Sequence, residues 1–461
     1  MPNIDFLNIN MSFGPPENIN QVLVDVDLKI STGTVHSIIG ENGAGKSTLM
    51  KILAGLVTPV SGSMRINHQV YKPRQAQDAF HQKIALVHQH FQLAEDLSGW
   101  DHIRLIAASL NLKNYQQVAI EIIKGFRWTI DLENKIKNYH VADQQKLEIL
   151  KVLILKPEVI IFDEPTAVLS PVEVEEFLTF LLTLKDQGKT VILISHKLHE
   201  IKRVSDRVTI LRKGRVVSEL SHDLISISQM AELMIGRAPR QIMKTTKPSS
   251  QGYDFDCLGF SLKKSEILGV YGIEGNGQAE LIQAFIKETQ KKQLKLADIT
   301  EDRHRLGIFK KLNLQDHFLI KNKNFYRFGI PLQKKAQQAL DHVLSDWHVH
   351  PRDIHLPLDH FSGGNQQKFV IGKELYAQPQ IILAAHPTRG VDVGAQEIIY
   401  QNFFSQVQSG TSILLVTADF DELIKISDRI VVIYKGRLLG PYQNGELSSS
   451  EISLLMNGAS L

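Results

Sequence analysis

Short runs of consecutive apolar residues alternate along the chain with longer segments whose apolar positions recur at helical spacing. In the first half the short runs are GTVHSIIG, PEVIIFDEP, TVILISHK and RVTILRKG, each rich in β-branched residues. This alternation predicts an α/β fold, a mainly parallel sheet covered by helices. Residues 101–138, from DHIRLIAASL to IDLENKIK, read as mostly helical and lie between two strand-bearing blocks, which predicts a helical subdomain.

The pattern occurs twice. The segment DRVTILRKGRVV beginning at Asp206 returns as DRIVVIYKGRLL beginning at Asp428, an offset of 222 positions. The same offset links Pro165-Thr166 to Pro387-Thr388 and Gln144-Gln145 to Gln366-Gln367, whereas the glycine-rich segment at Gly40 reappears at Gly272, an offset of 232. Such self-similarity marks two copies of one domain that differ by insertions and deletions. Between them RAPRQIMKTTKPSSQG (237–252) is polar and basic, with Pro, Ser and Gly and no apolar period, in the manner of a surface linker. The expected organisation is a first domain over 1–240, a linker over 241–252 and a second domain over 253–461. A flexible external loop inside one domain is the alternative, against which both flanks carry core-like patterns.

At 461 residues the chain has room for about three domain-equivalents of ~150 residues, which admits two large domains. Hydrophobic residues at 43% and charged residues at 22% are ordinary for globular proteins and exclude wholesale disorder. Lys and Arg (52) nearly balance Asp and Glu (49), so overall charge points neither to nucleic acid nor to an acidic membrane surface. The single cysteine, Cys257, excludes an intrachain disulfide and a cysteine-based zinc site and is compatible with a reducing cytoplasm. The opening MPNIDFLNINMSFGPPENIN lacks a basic start followed by an apolar core. Apolar stretches such as Val191 to Ile194 and Ile413 to Val416 fall far short of a membrane span, so any work at a membrane is expected from its side.

Gly40-Glu41-Asn42-Gly43-Ala44-Gly45-Lys46-Ser47-Thr48 matches GxxxxGK[ST] and stands between an apolar strand (36–39) and a helical run (49–53). In that context the glycines let backbone N–H groups face phosphate oxygens at a helix N-terminus, Lys46 neutralises the β- and γ-phosphates, and the Ser47 hydroxyl ligates magnesium. Downstream, VIIFD ends in the carboxylates Asp163 and Glu164. Asp163 then stands where a second magnesium contact is needed and Glu164 where a water is polarised. A strand ending in two acids is common by itself; the phosphate loop gives this one its meaning.

Further motifs are His88-Gln89-His90-Phe91, Asp163-Glu164-Pro165-Thr166-Ala167-Val168-Leu169, Ser195-His196, Phe361-Ser362-Gly363-Gly364-Asn365-Gln366 and Pro387-Thr388-Arg389-Gly390-Val391-Asp392. With these, over almost its whole length, the chain resembles the ATP-binding subunit of an ABC importer with two fused nucleotide-binding halves, of the simple-sugar and nucleoside branch. The resemblance implies tandem P-loop NTPase domains of the ABC type, with ATP and Mg2+ as cofactors. It puts Gln89 where magnesium and the attacking water are sensed, Glu164 at the general base, His196 at the switch histidine on the γ-phosphate, and Phe13 where a ring stacks on adenine. Plainer readings stand beside these: a loop amide for Gln89, a satisfied histidine at a strand end for His196, a core aromatic for Phe13. The spacing of His88 and His90 also suits a metal, but no carboxylate or cysteine partner is apparent nearby, and a very similar HQHF stretch occurs in the nucleoside branch.

The second half departs from the pattern in a directed way. Gly272-Ile273-Glu274-Gly275-Asn276-Gly277-Gln278-Ala279 keeps the glycines but has Gln278 for the lysine and Ala279 for the magnesium-binding hydroxyl. Ala385 and His386 replace the paired carboxylates, and Ala418 the switch histidine. Without cation, metal contacts or base, phosphoryl transfer there lacks charge stabilisation, and this half is expected to be catalytically inert. Yet Ser362, Gly363, Gly364 and Gln366 keep a hydroxyl and backbone amides suited to a γ-phosphate at a helix N-terminus, where the first half has Tyr139-His140-Val141-Ala142-Asp143-Gln144. In the resembled family the halves pack head to tail, each ATP lying between one phosphate loop and the other half's signature segment. That implies one complete site, from the first loop and FSGGNQ, and one deficient on both sides.

Spacing differs as well, with 43 positions from Lys46 to Gln89 but 23 from Gln278 to Glu301, so the second half lacks residues where the first has its GSMRINHQV strand, and much of its antiparallel β-subdomain is expected to be missing. Lys321, Lys323 and Arg327 form a small basic cluster that reads as a solvated loop rather than a contact to lipid or nucleic acid.

The resemblance thus implies an ATPase that powers import of a nucleoside or simple sugar from the cytoplasmic face of the cell membrane. Its partners would be two integral-membrane permease subunits, through which alone it meets the membrane, and indirectly an external solute-binding protein, with no nucleic acid. Two other classes stay open. One is a soluble tandem ABC protein acting on ribosomes or nucleic acid, which the near-neutral charge and the loss of one site argue against. The other is a nucleotide-gated regulatory module without productive turnover.

Overall fold

The computed structural model describes residues 3–14, 20–88, 91–166, 169, 171–236, 254–257, 259–272, 276–300, 307–309 and 311–456. The chain divides into two compact units, Met1–Pro239 and Arg240–Leu461, and the linker expected at 241–252 lies outside the described residues.

The first unit runs β1 (Ile4–Phe13), β2 (Asn20–Ile30), β3 (Val35–Ile39), α1 (Lys46–Leu53), β4 (Ser61–Ile66), β5 (Gln69–Tyr71), α2 (Ala76–His81), β6 (Ile84–Val87), α3 (Gly99–Ser109) and α4 (Tyr115–Gly125). It continues through α5 (Val141–Leu153), β7 (Val159–Asp163), α6 (Pro171–Asp186), β8 (Thr190–Ile194), α7 (Leu198–Val204), β9 (Arg207–Arg212), β10 (Arg215–Ser221) and α8 (Ile227–Ile235). Its core sheet has the order β10-β9-β3-β8-β7-β6 and is parallel except for the β9–β10 hairpin. The four apolar runs of the sequence are β3, β7, β8 and β9. Every residue of β3, β7 and β8 is buried; strands covered on both faces read as unbroken apolar runs rather than alternating ones.

On one face Ile38, Ile161, Ile192 and Ile194 pack with α1 and the antiparallel sheet β2-β1-β4-β5. On the other, Phe162 meets Phe177 and Phe180 of α6 with ring centres 5.4 and 6.3 Å apart. Helices α3, α4 and α5 close a separate apolar cluster around Ile103, Ala119, Leu147 and Leu150, which is the helical subdomain. GSMRINHQV is two strands rather than one. Asn67 and His68 both take left-handed backbone (φ 50 and 66) and fold β4 onto β5, the geometry of a two-residue hairpin turn.

The second unit runs β11 (Phe255–Cys257), β12 (Phe260–Leu262), β13 (Ile267–Tyr271), α9 (Gln278–Lys291), β14 (Leu296–Ile299), α10 (Leu314–Lys321), β15 (Tyr326–Arg327), β16 (Ile330–Pro331) and α11 (Gln333–Asp346). It ends with α12 (Gly363–Leu375), β17 (Ile381–Ala385), α13 (Val393–Gln408), β18 (Ser412–Thr417), α14 (Phe420–Ile426), β19 (Arg429–Tyr434), β20 (Arg437–Gln443) and α15 (Ser449–Met456). Its sheet, β14-β17-β18-β13-β19-β20, repeats the first strand for strand. The shortening lies between α9 and β14, where among the described residues nothing corresponds to β4, β5 and α2. Among the described residues the antiparallel layer of this unit is the β11–β12 hairpin, and α9 is extended to 14 residues against 8 in α1. Among the described residues no helix is long and apolar enough to cross a membrane.

Candidate active site

Three neighbouring parallel strands of the first unit end together: Ile194 of β8 is level with Asp163 of β7 and pairs also with Ile38 of β3. The phosphate loop after β3, Ser195-His196 after β8 and Asp163-Glu164 at the end of β7 are thereby collected at one edge. This is the edge at which open α/β sheets bind ligands.

Gly45 caps α1 at φ 100, and a Cβ there would stand 2.5 Å from Leu23 Cδ2 and 2.8 Å from the Val22 carbonyl oxygen. Gly40 is required by close approach, since its Cβ would come 2.2 Å from the Leu211 carbonyl oxygen of β9. Within the loop the Ala44 N–H donates to the Glu41 carbonyl at 3.0 Å, Asn42 and Gly43 form an exposed rim, and Thr48 is half-buried in the first turn of α1. Lys46 is buried, and its Nζ donates to the carbonyls of Gly40 at 2.8 Å and Glu41 at 3.0 Å. Burial lowers its pKa while the charges of Glu164, Asp163 and Glu41 work the other way. A phosphate arriving at the loop would supply the anion that this desolvated ammonium wants.

Ser47 Oγ donates to Asp163 Oδ1 at 3.1 Å. The two groups put a pair of hard oxygens side by side, which fits a magnesium ion that completes its shell with phosphate oxygens and water. No group of three His, Cys, Asp or Glu side chains forms an all-protein cage among the described residues. Burial raises the pKa of Asp163, against the Ser47 hydrogen bond. Glu164 behaves oppositely: burial pushes it up, but the His196 hydrogen bond and the charges of His196, Lys46 and Lys197 outweigh that and hold it below the usual carboxylate range. His196 Nδ1 lies 3.3 Å from Glu164 Oε1. Glu164 also sits in left-handed backbone, φ 49, with its N–H on the Ile194 carbonyl at 2.9 Å. An ionised carboxylate fixed beside an imidazole at a phosphate loop can take a proton from water.

Phe13 ends β1 and is 45% exposed, so it is no core residue. It pairs with Asn20, and Met11 pairs with Leu23, the residue packed on Gly45; two residues of strand put Phe13 about 7 Å further along. Gln89 and His90 lie outside the described residues. Val87 at the end of β6 pairs with Phe162, next to Asp163.

One group escaped the sequence reading. Thr166 Oγ1 donates to Glu200 Oε2 at 2.7 Å, and Lys197 Nζ reaches the Thr166 carbonyl at 3.1 Å and Glu200 at 3.5 Å, tying the turn after Glu164 to α7. The available signal was the 222-residue offset, at which Thr166 returns as Thr388 and Glu200 as Glu422.

The second unit keeps this backbone with different chemistry. Gly277 caps α9 at φ 107. Gln278 is buried, and its Nε2 would lie 2.8 Å from a Cβ on Gly272. His386 holds φ 47 with its N–H on the Val416 carbonyl at 2.8 Å, as Glu164 does in the first unit. Asp419 takes the place of Lys197, and Glu422 accepts instead from the hydroxyls of Thr388 (2.6 Å), Thr417 (2.6 Å) and Tyr400 (3.3 Å). Burial and the Asp419 charge push Glu422 up to about 7 against those bonds.

Ser362 caps α12, its Oγ accepting from the Asn365 N–H at 3.4 Å and from Asn365 Nδ2 at 3.0 Å. Gly364 has no room for a side chain, since Asp392 Oδ2 would lie 2.7 Å from its Cβ. Gln366, expected at the nucleotide, is turned inward and donates to the carbonyls of Leu358 and Phe361, each at 3.0 Å. Its side chain holds the turn that presents Ser362 and Gly363. In the first unit His140 stands at the N-cap of α5 and makes no side-chain cap hydrogen bond, and Asp143 pairs with Lys146 at 3.4 Å.

The sequence profile of the ABC transporter family matches residues 23–167 and 255–389. A nucleoside import ATP-binding protein of Lactococcus lactis is 30% identical over 482 residues, which cover 95% of either chain. A guanosine import ATP-binding protein of Bacillus subtilis is 32% identical over 504 residues, covering 99% of this chain and 97% of its own. A ribose import ATP-binding protein of Streptococcus agalactiae is 30% identical over 492 residues, 99% of each chain. With a phosphate loop, its acidic strand end and a family match in both units that spans more than half of the residues, the chain belongs to the ABC transporter family and is an ATPase of that family built from two tandem units.

Proposed function

We propose that the chain energises import of a nucleoside or simple sugar, working at the cytoplasmic face of the membrane with two permease subunits and, through them, an external solute-binding protein. One ATP with Mg2+ is bound and hydrolysed per chain. The loop 40–48 with Lys46 holds the phosphates, Ser47, Asp163 and Gln89 hold the metal, and Phe13 stacks on the base. Glu164 takes the proton of the attacking water, with His196 positioned beside it and reaching the γ-phosphate. Bound Mg2+ screens the phosphate charge. Ser362, Gly363 and Gly364 of the second unit close on the γ-phosphate, and the second unit's own loop stays inert.

The observation that carries this reading is the way the losses are sorted. The first unit has the cation, hydroxyl, carboxylates and histidine but a signature turn with no side-chain cap, whereas the second has the capped turn but Gln278, Ala279, Ala385 and His386. Relatives named for nucleoside, guanosine and ribose import support the substrate class. In vesicles carrying the chain with its permeases, turnover and uptake of labelled guanosine or ribose should vanish in Glu164→Gln and in Ser362→Glu and persist in Gln278→Ala. Turnover that survives Ser362→Glu would remove the cross-unit clasp. ATP hydrolysis without uptake of any nucleoside or sugar would remove the importer reading.

A further inference from the structure

The first two helices of the helical subdomain are joined differently in the two units. Residues 110–114 connect α3 to α4, whereas residues 322–332 connect α10 to α11 and contain the β15–β16 hairpin. The base of that hairpin is anchored. Phe325 packs on Phe318 (5.6 Å between ring centres) and Tyr376 (6.0 Å), which meet each other at 5.0 Å, and the Leu332 N–H donates to the Phe325 carbonyl at 2.7 Å.

The tip is the opposite. Phe328 and Gly329 take left-handed backbone, φ 51 and 79, a conformation uncommon for a bulky residue. Phe328 is 92% exposed, Ile330 68% and Tyr326 40%. Single exposed apolar residues are ordinary, but here they crown one exposed turn on a packed base and contribute nothing to the core.

Charge completes the picture. Between Asp316 and Asp341 there is no acidic residue but five basic ones, Lys321, Lys323, Arg327, Lys334 and Lys335. Lys321 pairs with Glu374 at 2.5 Å. The other four are exposed, and the Arg327 guanidinium lies over the Phe328 ring at 5.7 Å. The sequence alone suggested a solvated basic loop; two protruding apolar side chains among the cations change that reading.

We propose that the Tyr326–Pro331 hairpin inserts its tip into the headgroup region of an anionic phospholipid bilayer, a direct membrane contact in addition to any made through permeases. An exposed turn suits a soft phase, aromatic and aliphatic side chains partition into the interface, and the flanking cations complement lipid phosphates. The proposal stands independently of how the ATP site is composed.

The test uses the full chain and vesicles free of permease, of phosphatidylcholine with or without phosphatidylglycerol. The wild type should sediment with the phosphatidylglycerol vesicles and not with phosphatidylcholine alone, and salt should release it. The pair Phe328→Ser with Ile330→Ser, and the pair Lys323→Glu with Arg327→Glu, should each bind at least about tenfold more weakly, with ATP binding intact as the check on folding. In a Phe328→Trp variant, tryptophan emission should shift to the blue when anionic vesicles are added. Failure of the wild type to bind anionic vesicles, binding unaltered in both double variants, or tryptophan emission that does not move would each overturn the proposal; the first would point to a protein as the occupant of the tip.

Discussion

Alanine at Gly45 should disrupt the phosphate loop where alanine at Gly43 does not. Both glycines lie in left-handed backbone, φ 100 and 82, but their surroundings differ. A Cβ at Gly43 would meet nothing, so Gly43→Ala costs only the conformational penalty of an L-residue there, about 1–2 kcal/mol. At Gly45 the same penalty applies, and the methyl group also meets Leu23 Cδ2 at 2.5 Å and the Val22 carbonyl oxygen at 2.8 Å. The leucine tip can turn away; the carbonyl belongs to β2 and cannot move without the strand. Overpacking of that kind adds about 1–3 kcal/mol, for a total near 4 kcal/mol. At about 2–4 °C per kcal/mol for a unit of this size, Gly43→Ala should lower the first unit's melting temperature by about 2–8 °C and Gly45→Ala by about 8–16 °C. Scanning calorimetry with and without Mg-ATP measures both effects, and nucleotide should restabilise Gly43→Ala but not Gly45→Ala. Two variants that melt together, or a Gly45→Ala protein that nucleotide still stabilises, would refute the reasoning.

Glu422 is fully buried and its pKa is raised from 4.5 to about 7. Because the folded value is the higher, the stability this group contributes is full below pH 4.5 and is lost as pH rises to about 7, about 3 kcal/mol in all. The second unit should therefore melt lower above neutral pH than near pH 4.5, and Glu422→Gln should flatten the profile; an unchanged profile in that variant counts against it. Phe13→Ala should leave the melting temperature in place, since the ring is half exposed, and weaken ATP about tenfold through loss of ~1–3 kcal/mol of stacking; titration with a fluorescent ATP analogue reads this, and equal affinities would assign Phe13 no role at the base. Ser362→Ala should cost about 1 kcal/mol as a lost N-cap, visible in calorimetry, and reduce turnover by far more than that stability change; turnover at the wild-type rate would leave Ser362 a cap and nothing else.

The parts of the fold legible in the sequence were those governed by local or strictly periodic constraints. Strands β3, β7 and β8 are buried on both faces and announce themselves as apolar runs, and the phosphate loop is a contiguous backbone structure whose glycines and lysine lie within nine residues. The rest depends on contacts between distant positions. Thr166, Lys197 and Glu200 form their network across some thirty residues of chain, and no single one of them is unusual in sequence. GSMRINHQV read as one strand because the Asn67-His68 turn needs two consecutive left-handed residues without a glycine to signal them. Gln366 looked like a ligand because it sits in a ligand-binding motif, while only its partners, the carbonyls of Leu358 and Phe361, reveal an inward-facing brace. The Phe328 tip was hidden for the converse reason: a sequence shows that a residue is apolar, not that the fold leaves it uncovered.

The most direct test of a single ATP site per chain is the number of Mg-ATP molecules trapped by Glu164→Gln protein assembled with its permeases, where loss of the base should hold nucleotide without turnover. One ATP per chain is expected, abolished by a bulky replacement of Ser362. Two ATP per chain, or one that persists when Ser362 is blocked, would contradict a site composed of the first unit's phosphate loop and the second unit's signature turn.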